Sequence, residues 1–321
     1  MENAIELSSV SKRFGKQIAV DDLNLQVPSG AIYGFIGPNG SGKTTTLRMI
    51  LRIIQPDSGE VRVLGKSEGK TADDELGYLP EERGMYKRMK VRQLLIYFAR
   101  LKGMRNCKSE VDRWLEKLGA AEWSNKKIEM LSKGMAQKIQ FISAIVARPR
   151  LVILDEPFSG LDPVNMEVLR DAVFELRNYG TTIIFSTHDM DMAQQMCDTI
   201  FMIFRGKKVL DGTLDEIQSS FPANRVKVTL SDPEKEFPGI PEIKDLTRDR
   251  NDFEFEMIHP DRKQAILQRI ASQVAIDRFE VIRPTLHEIF IRIAKPDIGN
   301  GKGQSVDAGQ IQRRNYLEGG K

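Results

Sequence analysis

At 321 residues the chain is long enough for one large core or for two domains. Its 40% hydrophobic and 29% charged content is that of an ordinary globular protein, and a net charge of +3, with Lys and Arg interleaved among Asp and Glu, gives no electrostatic case for nucleic acid. No apolar run approaches the roughly 18–20 residues that span a bilayer, and the first ten residues lack the basic and apolar regions of a signal peptide. Cys107 and Cys197 have no metal-ligand spacing and fit a reducing compartment. The expectation is a cytosolic protein whose membrane association must come through a partner.

Residues 5–10 and 23–27 alternate like half-buried strands, and Pro28-Ser29-Gly30 supplies the turn after them. Residues 31–36 form an apolar run that predicts a buried strand, and residues 45–54 read as the start of a helix. Between them lies Gly37-Pro38-Asn39-Gly40-Ser41-Gly42-Lys43-Thr44, followed by Thr45, which satisfies G-x-x-x-x-G-K-[ST] at every fixed position. Glycines let successive backbone N–H groups converge on phosphate oxygens, and a helix start adds positive potential there. Lys43 supplies a point charge for β- and γ-phosphates, and Thr44 a hydroxyl for Mg²⁺. The loop therefore predicts binding of a nucleoside triphosphate.

Residues 60–64 and 76–79 are further short strand candidates. At Val91 the period changes: Val91, Leu94, Leu95, Phe98 and Leu101 mark one helix face, and Val111, Trp114, Leu115 and Leu118 another. Met135, Ile139, Ile142 and Val146 form the stripe of a third helix, which Pro149 ends. Strands resume over residues 151–154, 182–186 and 199–204, with a helix over 165–178 as in a right-handed parallel crossover. The run Leu151-Val152-Ile153-Leu154 suits a central parallel strand and delivers Asp155 and Glu156 to its C-terminal end, where open α/β sheets place their ligands. Asp155 is the natural Mg²⁺ partner, and Glu156 can orient and deprotonate an attacking water.

Beyond about residue 213 the organisation shifts. A helix precedes Phe221-Pro222-Ala223-Asn224; alternating runs follow with Val226, Val228 and Leu230, then Phe253 and Phe255. A helix over 261–272, a strand over 278–282 and a helix over 285–294 complete the segment. The expected division is a first domain of residues 1–220, a small α+β domain of residues 221–295 and a disordered tail over 296–321, where apolar content disappears. There is no internal repeat.

Many enzymes share this phosphate loop, so the loop alone cannot name a function. The discriminating segment is Leu131-Ser132-Lys133-Gly134-Met135, at the start of the third helix. It resembles the signature of the ATP-binding subunits of ABC transporters, usually Leu-Ser-Gly-Gly-Gln. Ser132 fits a helix cap whose hydroxyl and following N–H groups make an anion site. The resemblance implies that Ser132, Lys133, Gly134 and Met135 face the γ-phosphate held by the phosphate loop of a second subunit. It implies too that Ser159-Gly160-Leu161-Asp162 is the dimer-contact loop, that His188 reaches the γ-phosphate, and that Phe14 stacks on adenine. The motifs occur in family order over roughly residues 4–215.

Two departures stand out. Lys133 and Met135 replace the usual glycine and glutamine of the signature, with Lys133 directed either towards phosphate or into solvent. Glu81, in Gly77-Tyr78-Leu79-Pro80-Glu81, stands where the family carries its glutamine-loop residue. A carboxylate there can coordinate metal but repels the γ-phosphate at short range, so altered metal or nucleotide affinity is expected. Glu81-Glu82-Arg83-Gly84, Lys133 and the C-terminal domain resemble the sodium-extrusion, NatA-like branch.

The implied fold is an α/β phosphate-loop NTPase core with a mixed sheet and a helical subdomain, joined to the small α+β domain. The implied function is an ATP- and Mg²⁺-dependent ATPase subunit of an exporter, working as a homodimer on an integral membrane permease at the inner face of the cell membrane. The alternative is a soluble ABC-type mechanical ATPase acting on ribosomes or DNA. Such proteins tend to carry two cassettes or long coiled coils, whereas this chain has one cassette and no sustained heptad run.

Overall fold

In the computed structural model, which describes residues 3–67, 73–82 and 84–299, three strands bury every residue they contain: β3 (Ile32–Ile36), β6 (Leu151–Asp155) and β7 (Thr182–Thr187). Strands covered on both faces are largely apolar, as these are along their middles, with polar residues only at the ends of β6 and β7. They lie in a six-stranded sheet with β5 (Leu76–Leu79), β8 (Thr199–Phe204) and β9 (Lys207–Gly212), ordered β5-β6-β7-β3-β8-β9. All pairs are parallel except β8 with β9.

The two faces of this sheet bury different cores. Ile32, Val152, Leu154, Ile183 and Phe185 join one cluster with α2 (Val91–Leu101), α3 (Lys108–Lys117), α4 (Lys133–Ile145) and α5 (Pro163–Asn178). Tyr33, Phe35, Leu151, Ile153 and Ile184 join a second cluster with α1 (Lys43–Ile50) and an antiparallel sheet ordered β2-β1-β4. That sheet consists of β1 (Asn3–Phe14), β2 (Gln17–Pro28) and β4 (Ser58–Val63). Successive residues of a strand point to opposite faces, so each buried strand feeds both cores alternately.

Several elements differ from the sequence expectation. β1 and β2 are twice the expected length, and β-bulges between Leu7 and Val10 and on either side of Lys12 break the two-residue period that would have revealed them. α1 begins at Lys43 and stops at Ile50. The seven-residue α6 (Met190–Met196) was not expected; the Asp189 carboxylate caps it by accepting from the N–H groups of Asp191 (3.1 Å) and Met192 (3.0 Å).

The chain divides into two compact units between Thr213 and Leu214. The boundary therefore falls before α7 (Leu214–Ser219) rather than after residue 220. Within the second unit Gln218 donates to the Pro284 carbonyl at 3.0 Å and Asp215 pairs with Arg283, which assigns α7 to that side. The unit is an antiparallel sheet ordered β11-β12-β10-β13, from β10 (Arg225–Leu230), β11 (Ile243–Asp249), β12 (Asp252–Met257) and β13 (Ile276–Ile282). Val226, Val228, Phe253 and Phe255 cover one face together with Ile266 and Ile270 of α8 (Lys263–Ala271). The other face carries Arg225 paired with Glu254 and Lys227 with Asp252, each at 2.8 Å. α9 (Leu286–Gly299) continues past residue 295, so the loss of apolar content does not end the helix; the rest of the expected tail lies outside the described residues.

A buried carboxylate ties α3 to the segment that follows α4. Glu110 of α3 accepts from Arg113 and Arg148, both at 2.6 Å, and from the Trp114 indole at 3.0 Å. Burial raises its pKa, but the Arg148 and Arg113 guanidiniums outweigh that and hold it below the ordinary glutamate value. Glu110→Ala is expected to cost about 2–3 kcal/mol, below the full penalty for a broken buried pair because Arg148 is accessible to solvent. The loss would read as a lower urea midpoint; an unchanged midpoint contradicts it. The stabilisation is complete above the unfolded glutamate pKa and is lost as pH falls through the depressed folded value.

Candidate functional site

Three neighbouring parallel strands end at one rim. β7 lies between β6 and β3, with Asp155 level with Ser186 and Ile36 level with Thr187. The segments leaving these strands, which begin at Glu156, His188 and Gly37, are therefore gathered together.

The loop from Gly37 to Gly42 is held tightly against the adjoining backbone. Gly37, Gly40 and Gly42 have φ values of 153°, 76° and 112°. A Cβ at Gly37 would lie 2.3 Å from the Ile203 carbonyl oxygen, and one at Gly42 would lie 2.5 Å from that of Ala19, so only glycine fits both. The N–H of Gly206 donates to the Ser41 carbonyl at 2.8 Å, and that of Ser41 to the Pro38 carbonyl at 3.2 Å.

Lys43 opens α1 and folds its ammonium back over the loop, donating to the carbonyls of Gly37 (2.6 Å) and Pro38 (3.2 Å) while 7% exposed. Burial lowers its pKa, and the charges of Glu156, Asp155 and Glu81 act in the opposite direction. A largely buried cation amid oriented N–H groups is suited to a polyanion.

The adjoining cavity of about 250 Å³ is lined by Phe14, Gln17 and Ala19, by Asn39 to Thr45, and by Glu81, Asp155, Glu156 and His188. Phe14, at the end of β1, is 52% exposed, and the Lys12 ammonium lies 5.7 Å from its ring centre. An aromatic ring this open belongs to no core and leaves a face for a planar ligand.

Asp155 is only 2% exposed. Burial raises its pKa, and the nearby Glu81 and Glu156 carboxylates add to the rise. Its acidity would be restored by a cation beside it. The Thr44 hydroxyl with the Asp155 and Glu81 carboxylates makes a hard-oxygen donor set suited to a small divalent ion. Among the described residues no group of three or more His, Cys, Asp or Glu is arranged to hold a metal alone, so further ligands must come from nucleotide or water.

Glu156 has φ 49°, a left-handed backbone that costs a non-glycine residue about 1 kcal/mol. Its N–H donates to the Ser186 carbonyl at 3.0 Å. Its Oε1 accepts from the His188 N–H at 3.0 Å and lies 2.7 Å from His188 Nδ1, while Oε2 accepts from the Thr187 hydroxyl at 3.3 Å. A carboxylate only accepts, so Nδ1 carries the proton and Nε2 of this exposed ring is left free to meet a ligand.

The signature segment is complete but elsewhere. Ser132 caps α4, its hydroxyl accepting from the Met135 N–H at 3.3 Å. The Lys133 side chain arches over Gly160, where an added Cβ would lie 2.8 Å from Lys133 Cε and 2.9 Å from Nζ. A Cβ at Gly134 would lie 3.5 Å from the Leu161 side chain. The same chain thus brings together Phe14, the phosphate loop, Glu81, Asp155, Glu156 and His188, and leaves Ser132, Lys133, Gly134 and Met135 outside their cavity.

Sequence reasoning missed Gln17, Ala19 and Thr187, whose only signal is position. It also passed over Gln137, which is buried in α4 and donates to the Pro157 carbonyl at 2.8 Å, tying the signature helix to the turn after Glu156. Three polar residues, Gln137, Lys138 and Gln140, on buried positions of one helix were the available sign.

Comparison with known proteins identifies the family. Residues 20–159 match the family model for ABC transporters, and residues 212–294 that for the C-terminal domain of DrrA1-3-like ATP-binding proteins. The chain is 33% identical to the ABC transporter ATP-binding protein NatA of Bacillus subtilis, over 67% of this chain and 92% of that protein. A solved ATP-binding subunit of an ABC transporter superposes with a TM-score of 0.65 at 28% identity, covering 68% of this chain and 93% of its own. The uncharacterized ABC transporter ATP-binding protein YhaQ of Bacillus subtilis is 41% identical over 89% of this chain and 97% of its own length. The chain belongs to the ATP-binding, ATP-hydrolysing proteins of the ABC transporter family.

Proposed function

We propose that two copies of this chain pair head to tail around two ATP molecules and drive a membrane permease. The observation that carries this reading is the separation just described: one chain contains both the polyphosphate cavity and the capped signature helix, yet keeps them apart. A second copy presenting Ser132 to Met135 would close each cavity.

In this reading Phe14 stacks on adenine, and the N–H groups from Gly37 to Thr45 hold the phosphates. Lys43 exchanges the Gly37 and Pro38 carbonyls for β- and γ-phosphate oxygens. Thr44 and Asp155, with Glu81, would hold Mg²⁺, which would supply positive charge to offset that of the phosphates. Glu156 orients and polarises the water, while His188 fixes the Glu156 carboxylate and turns its free Nε2 to the γ-phosphate. Catalysis is then mainly positioning and electrostatic stabilisation.

The first unit is the ATPase and the second an accessory domain. Beyond Glu81, the exposed rings of Tyr86 and Tyr97 pack edge to face, with centres 5.8 Å apart, and Tyr86 also lies 6.3 Å from Phe98. An exposed aromatic group beside the site supports docking of the permease there. No helix among the described residues is long and apolar enough to cross a membrane, which fits a subunit held at the inner face by its permease. The resemblance of Glu81-Glu82-Arg83-Gly84 and Lys133 to the sodium-extrusion branch supports export.

Glu156→Gln is expected to lower ATP turnover by about 10² to 10⁴, the usual share of a general base, while ATP still binds. Hydrolysis near the wild-type rate would remove Glu156 from this role. A mixing experiment tests the shared site. Ser132→Arg and Lys43→Ala copies should each be inactive alone and recover hydrolysis when mixed, since the mixed dimer contains one intact site. Failure to recover, with both variants folded and pairing, would mean that the two halves do not act across copies.

A further inference from the structure

Inside the first unit, Gln140 lies two turns into α4 and is 4% exposed. Its side-chain amide nitrogen faces two carbonyls at once, those of Pro80 and Glu82, each at 3.4 Å. These are the residues on either side of Glu81. The Gln140 carbonyl oxygen, Oε1, is buried and has no hydrogen-bond partner. An apolar side chain would fill this helix position without leaving a buried polar atom unpaired. What the glutamine adds is a bracket: both protons of one amide hold the backbone around Glu81, which lines the cavity.

Glu81 has two neighbours of opposite sign, Asp155 and Lys43, within electrostatic reach. Where its carboxylate rests decides whether it meets a cation or repels a phosphate. Its backbone continues from β5, whose last residue is Leu79, into a segment tied to α4 through this amide. The helix so tied is the one that Ser132 caps.

We propose that Gln140 is a positioning residue: its amide fixes the Glu81 loop to the signature helix and so holds the Glu81 carboxylate where the divalent ion binds. The inference rests on the reading of Glu81 as a residue that faces the metal. Outer-shell partners of this kind typically change metal affinity by about 10- to 100-fold when removed.

The test is equilibrium binding of a non-hydrolysable ATP analogue to the full chain, with Mg²⁺ and with EDTA. In Gln140→Met, which keeps length and removes the donors, the Mg²⁺-dependent gain in affinity should fall roughly tenfold, and binding in EDTA should match the wild type. In a Glu81→Ala background the same substitution should add nothing, because Gln140 acts through Glu81. Gln140→Leu, which also removes the donors, serves as the second variant should the methionine form fail to fold, as thermal unfolding without nucleotide would show. An unchanged Mg²⁺ gain in the Gln140 variants overturns the inference, and so does a loss that persists in full without Glu81. If Glu81→Ala alone leaves the Mg²⁺ gain intact, the assignment of Glu81 fails and takes the inference with it; if Glu81→Ala lowers the gain and the Gln140 variants do not, only the inference fails.

Discussion

Asp155 is paired in register with Ser186, and Ile36 with Thr187, along three strands that run in one direction. From this alignment comes the rest of the site. It brings a glycine-rich turn, a buried carboxylate, a strained glutamate and a histidine to one rim, although they are far apart in the chain. The alignment is held by burial on both faces, because sliding any of these strands by one residue would turn every side chain towards the wrong core.

The rim then gathers opposite charges. One largely buried lysine meets three carboxylates, and two of the four groups are driven away from their ordinary pKa values chiefly by burial. A site so arranged is electrostatically unfinished until a polyanion and a cation arrive together. Glu156 adds a second form of preorganisation. Its left-handed backbone and its contacts with Thr187 and His188 fix the carboxylate before any ligand binds.

The signature helix links these features to each other. Through Gln137 it holds the turn after Glu156, and through Gln140 it holds the loop around Glu81. Its capped end, Ser132 to Met135, lies outside the cavity of its own chain, and in the proposed pairing it would meet the cavity of a second copy.

The phosphate loop was legible in the sequence because its requirement is local: glycines at positions where a Cβ would strike backbone, then lysine and threonine at the helix start. The buried strands were legible because two-sided burial demands unbroken apolar runs. The family followed from the order of the short motifs. Elements whose pattern is interrupted or exposed were hidden: bulges broke the period of β1, β9 and β11 are edge strands with little burial, and α6 is a short helix. Tertiary structure alone decided that Gln17, Glu81 and His188 share one cavity, that Thr187 steadies the Glu156 carboxylate, that Lys133 lies over Gly160, and that Gln140 brackets Glu81. Local chemistry is written in a few consecutive residues, whereas convergence depends on strand order and register, which no short stretch of chain contains.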